Sequence, residues 1–230
     1  MKLLLVIQSY PGANDAVTRQ WPFYLNAGAD EIHGIGTTDN GCIWPDGVKS
    51  VLIGNNKYID GKHLPNRLLD TIEYCLSADF SHFCIAEYDS IFFNKIPEWI
   101  GIAAHLAGGK TCEDESRFCG SPESNFIHNP WFIDRQTAEI LLPIGREILK
   151  RPELSFEWWY GSPESSPDVF LAWVCQEANI KVKYDLMKEF SRNRLDIPGD
   201  LELARDFRIN GVEIIHGLKT EYELNYITKD

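Results

Sequence analysis

The sequence has little basic charge and no long hydrophobic run. Lysine and arginine together number 22 against 34 aspartate and glutamate residues, which leaves a formal net charge of -12 over 230 residues. A nucleic-acid or anionic-membrane partner needs clustered Lys and Arg, so the composition argues against both. No stretch approaches the roughly 20 apolar residues of a membrane span. The acidic surplus therefore either serves solubility or supplies carboxylates that converge on a cation.

Paired cysteine motifs and glycine-rich phosphate loops are also absent. The six cysteines show no CxxC spacing, and neither GxxxxGK[ST] nor GxGxxG occurs. Cys112 and Cys119 are too loosely spaced to predict a zinc site. The apolar run at residues 3–7 is too short for a signal peptide and is better explained as a buried strand. We therefore expect reduced, mostly buried cysteines in a cytoplasmic protein.

The composition and the order of apolar segments predict an α/β domain. Hydrophobic residues make up 44% and charged residues 24% of the chain, which is ample for a continuous core. The length suits one domain over residues 1–230, with a nucleotide-binding half at about 1–95 and an acceptor-binding half at about 96–220. Alternating strand and helix patterns predict a mixed, mostly parallel sheet with helices on both faces.

Short apolar runs predict strands at residues 3–7, 32–35, 51–53, 82–86, 126–133 and 212–215. Helical patterns occur at 16–26 and 64–77, and a further helix is predicted from Pro97 to the Gly108-Gly109 pair. Asp134 is expected to cap a helix that Pro143 kinks or interrupts, and Pro167 to occupy the first position of the next helix. The tail after His216 is polar.

Glu87 and Asp89 directly follow the predicted strand at 82–86. Residues two apart in a strand point the same way, so both carboxylates emerge where a buried strand surfaces. Two such carboxylates repel each other, and a hard divalent cation would neutralise them and could hold a diphosphate. The alternative is two acidic residues in a solvated turn.

The segment Phe83-Cys84-Ile85-Ala86-Glu87-Tyr88-Asp89-Ser90 resembles the DxD motif of the metal-dependent glycosyltransferases of the A fold (GT-A). The resemblance implies a Rossmann-like GT-A domain with a UDP-sugar donor, or less often a GDP-sugar donor, and Mn2+ or Mg2+ as the metal. It implies that Asp89 binds the metal. Glu87 departs from the usual Asp, so it either binds the metal or contacts the ribose or an outer-shell water.

The end of the chain also resembles this family. His216 follows the last apolar strand, where part of the family has a histidine that completes the metal shell or touches the diphosphate. Neutral imidazole is a good ligand for manganese. Lys219 lies three residues further on and is expected to meet a phosphate oxygen.

Asp168 is the candidate general base. It occupies the place of the family's x-E-D segment, where a carboxylate takes the proton of the acceptor hydroxyl as that hydroxyl attacks the anomeric carbon. Pro167 stands where the family has a preceding acid, and Glu157 and Glu164 are alternative bases. The helix dipole gives a purely structural reason for an aspartate in a first helical turn.

Loops after the first strands are expected to hold the nucleotide, as they do in the enzymes that the chain resembles. The candidates for base, ribose and phosphate contacts are Gln8, Ser9, Tyr10, Asp39, Lys62 and Arg67. The aromatic run at 156–161 is either an acceptor platform or core, and residues 125–131 lie where the family places acceptor contacts.

These features predict a metal-dependent glycosyltransferase that moves a sugar from a nucleotide-diphosphate sugar to a glycan or other hydroxyl acceptor, with inversion. A retaining transferase and a non-catalytic sugar- or nucleotide-binding module remain open alternatives. A nucleotidyltransferase or phosphoryl-transfer enzyme would usually show the glycine-rich phosphate loop that is missing here.

Overall fold

The computed structural model describes residues 1–36, 41–53, 64–96, 106–109, 127–150, 167–183, 189–191, 202, 205, 214–217 and 220–229. Within them, seven strands form the main sheet in the order β3-β2-β1-β4-β7-β6-β8, and three form a small sheet in the order β5-β10-β9. The strands are β1 (Leu3–Ser9), β2 (Glu31–Gly36), β3 (Lys49–Leu52), β4 (His82–Glu87), β5 (Ile91–Phe92), β6 (Leu106–Gly109), β7 (His128–Asp134), β8 (Val182–Lys183), β9 (Glu189–Ser191) and β10 (Ile214–His216).

The main sheet is mostly parallel, as predicted. Strands β3, β2, β1 and β4 run parallel to one another. β7 is antiparallel to its two neighbours, β4 and β6, and β8 is parallel to β6. The carboxyl ends of β1 and β4 therefore lie side by side at the same edge of the sheet.

Helices cover both faces of this sheet. On one face lies α1 (Asn14–Asn26), and on the other lie α2 (Leu64–Ser77), α3 (Arg135–Ile148) and α4 (Pro167–Glu177). A further helix is α5 (Glu221–Thr228). Successive residues of the fully buried β1 alternate between two cores, because side chains in a strand point to opposite faces. Leu4 and Val6 pack with α2, α3 and α4, whereas Leu3, Leu5 and Ile7 pack with α1. The predicted layers are confirmed.

Helices α2 and α3 approach each other closely at Gly145. A Cβ built on this glycine would lie 2.6 Å from Leu69 Cδ2. The absence of a side chain at this position therefore lets the two helices meet over the core.

Several local predictions are confirmed. Residues 64–77 form a helix, Pro167 is the first residue of α4, and the Asp134 carboxylate accepts from Thr137 N at 2.6 Å as the cap of α3. Cys75, Cys84 and Cys175 are buried and Cys42 is half-buried. Cys112 and Cys119 lie outside the described residues. Among the described residues, no helix has the length and apolar character needed to cross a bilayer.

Two sequence signals were misleading. Gly108 and Gly109 do not close a helix but belong to β6, which pairs with β7 and β8; the predicted helix start at Pro97 lies outside the described residues. Pro143 does not interrupt α3, which continues to Ile148, and the alternative that it kinks the helix stays a prediction. The polar tail, for which no helix was predicted, forms α5, whose capping box pairs Thr220 with Glu223.

Candidate functional site

The Glu87-Tyr88-Asp89 segment lies at the carboxyl edge of the parallel strands. Glu87 ends β4 and stands beside Gln8, its register partner on β1. Ligands of open α/β sheets bind outside the carboxyl ends of the strands, so this edge is where a site is expected. The structure thus brings together the end of β1, with Gln8, and the end of β4, with Glu87, two of the regions that we predicted to hold the donor.

Each backbone carbonyl of the 87–89 turn accepts a hydrogen bond. Glu87 O accepts from Ser90 N at 3.0 Å, Tyr88 O from the Tyr24 hydroxyl of α1, and Asp89 O from Gly217 N at 3.0 Å. A turn held in this way needs little reorganisation when a ligand arrives. The bond from Gly217 also brings the end of β10 next to Asp89.

The side chain of Asn129, on β7, also holds this turn. Its Oδ1 accepts from Glu87 N at 2.8 Å and its Nδ2 donates to Ile85 O at 3.0 Å. The β4–β7 register extends to Ile85 and Trp131, and beyond that pair the Asn129 carboxamide supplies a donor and an acceptor to the β4 backbone. From the sequence, Asn129 was placed only within the stretch 125–131 that lies where the family has acceptor contacts, and this support of the turn was not predicted, although an Asn-Pro pair inside an apolar strand pattern was a visible signal.

Asp168 is the second residue of α4, and its Oδ1 is buried. Burial raises the pKa of the Asp168 carboxyl well above its ordinary value, and the negative charge of Glu87 raises that pKa further. A hydrogen bond from the Asn129 backbone N–H acts in the opposite direction. The helix dipole favours ionisation, but burial outweighs it. Asp168 and Glu87 therefore lie close enough to influence each other's charge.

Asp89 is only 3% exposed, and its negative charge affects the pKa of two tyrosines. Burial raises the pKa of Tyr24 and of Tyr88, and the Asp89 carboxylate contributes to both increases. The Tyr88 ring meets the Tyr10 ring edge to face, with centroids 5.4 Å apart. The site is a region of negative potential bordered by aromatic hydroxyls.

The candidates at the end of β1 form a connected network with α2. Gln8 Nε2 donates to Thr71 Oγ1 at 2.9 Å, Thr71 Oγ1 donates to Arg67 O at 2.8 Å, and Arg67 Nη2 donates to Ser9 O at 3.0 Å. Gln8 and Ser9 are buried, whereas Tyr10 is 45% exposed. Nucleotide contacts by these residues stay predictions, and Tyr10 is the most accessible surface for one.

The donor chemistry of the site fits a divalent cation. Glu87 and Asp89 offer carboxylate oxygens, and the negative potential around them favours a cation. The backbone of His216 ends β10, immediately before Gly217, but its imidazole is not among the described side chains. Within the described residues, no three His, Cys, Asp or Glu side chains form a metal-binding group by themselves.

Other predicted site residues lie outside the described residues. They are Asp39, Lys62, Lys219, the alternative bases Glu157 and Glu164, and the aromatic run at 156–161. Their roles stay predictions.

Comparison with known proteins identifies the fold. No protein-family model matches the chain, and a search of the curated proteins found no match. The chain is similar to the crystal structure of galactosyltransferase LgtC in complex with donor and acceptor sugar analogs, with a TM-score of 0.51 and 12% sequence identity. The match covers 93% of this chain and 86% of LgtC. The chain has a GT-A, Rossmann-like α/β fold.

Proposed function

We propose that the protein is a glycosyltransferase that moves a sugar from a nucleotide-diphosphate sugar, UDP-linked rather than GDP-linked, to an acceptor hydroxyl with inversion. One observation carries the proposal: the Glu87–Asp89 turn is fixed at the carboxyl edge of β1 and β4, with the end of β10 hydrogen-bonded to it. The fold shared with a galactosyltransferase whose structure holds donor and acceptor sugar analogs supports this interpretation.

Asp89 and Glu87 would hold a divalent cation, Mn2+ in preference to Mg2+, together with the imidazole of His216. When bound, the ion supplies positive charge to the leaving diphosphate. The residues at the end of β1, with Tyr10 as the accessible aromatic ring, would hold the nucleoside, and Lys219 would contact a phosphate.

Asp168 would act as the general base. In an inverting transfer the acceptor oxygen attacks the anomeric carbon, its proton passes to the Asp168 carboxylate, and the bond to the diphosphate breaks with its electron pair on the leaving group. The raised pKa of the Asp168 carboxyl supports this role, because it makes the ionised form a stronger base than an exposed aspartate.

The proposal is tested by hydrolysis of UDP- and GDP-sugars with and without Mn2+. We expect turnover that chelator abolishes and Mn2+ restores. Asp89→Asn should weaken Mn2+-dependent donor binding about tenfold or more. Asp79→Asn is the matched control, because Asp79 is an exposed carboxylate paired with Lys2 at 3.2 Å.

The outcomes separate the candidate functions. Tight donor binding without turnover of any donor would favour the non-catalytic module. Equal Mn2+-dependent affinity in the Asp89→Asn and Asp79→Asn variants would contradict the proposed metal site.

A further inference from the structure

We propose that Asn129 is a positioning residue that holds Glu87 and Asp168 in a fixed relation, so that the transfer step depends on its carboxamide. The inference rests on the proposed function, since it assigns these two carboxylates to donor and acceptor chemistry. Asn129 acts through its neighbours and is given no contact with the substrate.

Both ends of the Asn129 carboxamide are engaged by the β4 backbone. The oxygen accepts from Glu87 N and the nitrogen donates to Ile85 O, at 2.8 and 3.0 Å. The residue is 3% exposed, so water cannot readily replace either bond. These contacts determine which end of the amide is oxygen, and they fix the end of β4 against β7.

The backbone of the same residue meets the other carboxylate. Its N–H donates to the Asp168 carboxylate, and two residues earlier Ile127 N donates to Asp168 O at 3.5 Å. Asn129 therefore contacts the backbone of Glu87 with its side chain and the side chain of Asp168 with its backbone. It is a one-residue bridge between the end of β4 and the first turn of α4.

A rigid bridge matters here because the two carboxylates repel. The negative charge of Glu87 acts directly on Asp168, so loosening the connection lets the pair move apart. A displacement of about 1 Å at a reacting centre can cost roughly 100-fold in rate. Loss of the carboxamide should therefore slow the chemical step more than it weakens donor binding.

The test compares Asn129→Ala with Asn26→Ala. Asn26 on α1 is the matched control, because its Nδ2 also holds a backbone carbonyl at 3.0 Å, that of Phe92 in β5, and not one in β4 or α4. For Asn129→Ala we expect kcat for donor hydrolysis to fall about 10- to 100-fold, with the donor KM within about threefold of the wild-type value. For Asn26→Ala we expect wild-type values of both. Thermal unfolding of both variants is measured alongside.

A second variant and a second readout separate positioning from folding. Asn129→Leu keeps the approximate shape of the side chain but can neither donate to Ile85 O nor accept from Glu87 N, so we expect it to lose kcat as well; wild-type kcat would show that the residue only fills space. Amide hydrogen exchange at Glu87 N should accelerate in Asn129→Ala and not in Asn26→Ala.

Each outcome decides the inference. A kcat for Asn129→Ala equal to that of Asn26→Ala, or unchanged exchange at Glu87, would overturn it. If the wild-type protein hydrolyses no nucleotide-sugar, the proposed function fails, and faster Glu87 exchange confined to Asn129→Ala would still support the bridge.

Discussion

At the scale of single residues, burial gives the site its chemical character. Asp89 and Asp168 are ordinary acidic residues in the printed sequence, but the fold buries the first residue and the Oδ1 of the second. Desolvation disfavours the charged form of a carboxyl group, as the raised pKa of Asp168 shows. The ionised Asp168 carboxyl therefore lowers the stability of the metal-free fold, and functional sites commonly carry this kind of cost.

The Asp168→Asn variant tests how the raised pKa of Asp168 affects the rate of transfer. Transfer needs the ionised carboxylate, so the wild-type rate should rise as the pH rises through the pKa of folded Asp168, and the variant should lose about 100-fold or more in rate. Donor affinity should be retained within about threefold. A pH–rate profile and donor titrations check this result, and a near-normal transfer rate in the variant would exclude Asp168 as the base.

The raised pKa also predicts the direction in which Asp168→Asn changes the free energy of unfolding. A carboxyl group whose pKa is raised in the folded state stabilises the fold when it is protonated, below its unfolded value of about 3.8, and this contribution is lost as the pH rises through the folded pKa. In metal-free protein Asp168→Asn should therefore raise the free energy of unfolding at pH 7, and the gain should shrink toward pH 4. Urea unfolding at both pH values measures it.

Tyr24→Phe tests the support of the 87–89 turn from α1. The variant loses the hydroxyl that donates to Tyr88 O and keeps the buried ring. We expect a loss of about 1 kcal/mol in the free energy of unfolding and weaker Mn2+-dependent donor binding. Phe23→Leu serves as the control, since the Phe23 ring packs on Phe93 and its side chain has no group that could hydrogen-bond to the turn. Donor binding unaffected by Tyr24→Phe would show that this bond is structural only.

At the scale of elements, local signals predicted most of the fold. Three signals depend only on residues that are close in sequence: the continuous apolar run of β1, the amphipathic period of α2 and the Pro167 start of α4. The structure confirms all three elements. The wrong predictions came from signals that tertiary contacts override. Gly108 and Gly109 usually end helices, but here they lie in a strand that pairs with β7 and β8.

Tertiary contacts also override the helix-breaking signal of Pro143. A proline in a helix interior costs about 3 kcal/mol. The buried face of α3, with Thr137, Ala138, Leu141 and Ile148, packs on the core and offsets that cost. α5 was missed because its buried apolar face has only Leu224 and Ile227, although its capping box is visible in the sequence.

Gly145→Ala tests the contact between α2 and α3. The new Cβ would lie 2.6 Å from Leu69 Cδ2, so the helices must move apart or repack. We expect a loss of about 1–3 kcal/mol from this overpacking, with the Mn2+ requirement unchanged. Ile140→Ala on the exposed side of α3 should cost less than about 0.5–1 kcal/mol. Chemical denaturation compares the two, and equal stability of both variants would contradict the close approach.

At the scale of the whole molecule, the site is assembled from distant parts of the chain. Glu87 and Asp89 were found from sequence because they follow a strand, but the hydrogen bonds that support them come from α1, from β7 and from the residue after β10. Contacts between residues 40 or more positions apart leave no periodic signal in a single sequence. The sequence therefore predicted the strand end at which we propose the site, and it did not predict Tyr24 or Asn129 as supports of the 87–89 turn.

His216→Ala tests whether β10 contributes to the site. The bond from Gly217 N to Asp89 O places the residue after His216 beside the proposed metal site. We expect Mn2+-dependent donor affinity to fall about tenfold. His82→Ala, at the amino end of β4, is the control at the opposite edge of the sheet. Equal donor affinities of the two variants, measured by calorimetry, would leave His216 a purely structural residue.

The most direct measurement is the anomalous difference density of a crystal grown with UDP, or with GDP, and excess Mn2+. We expect one manganese peak beside the Asp89 carboxylate, with diphosphate oxygens completing its coordination and the nucleoside against the end of β1. A nucleotide bound elsewhere, with no manganese near Asp89, would contradict it.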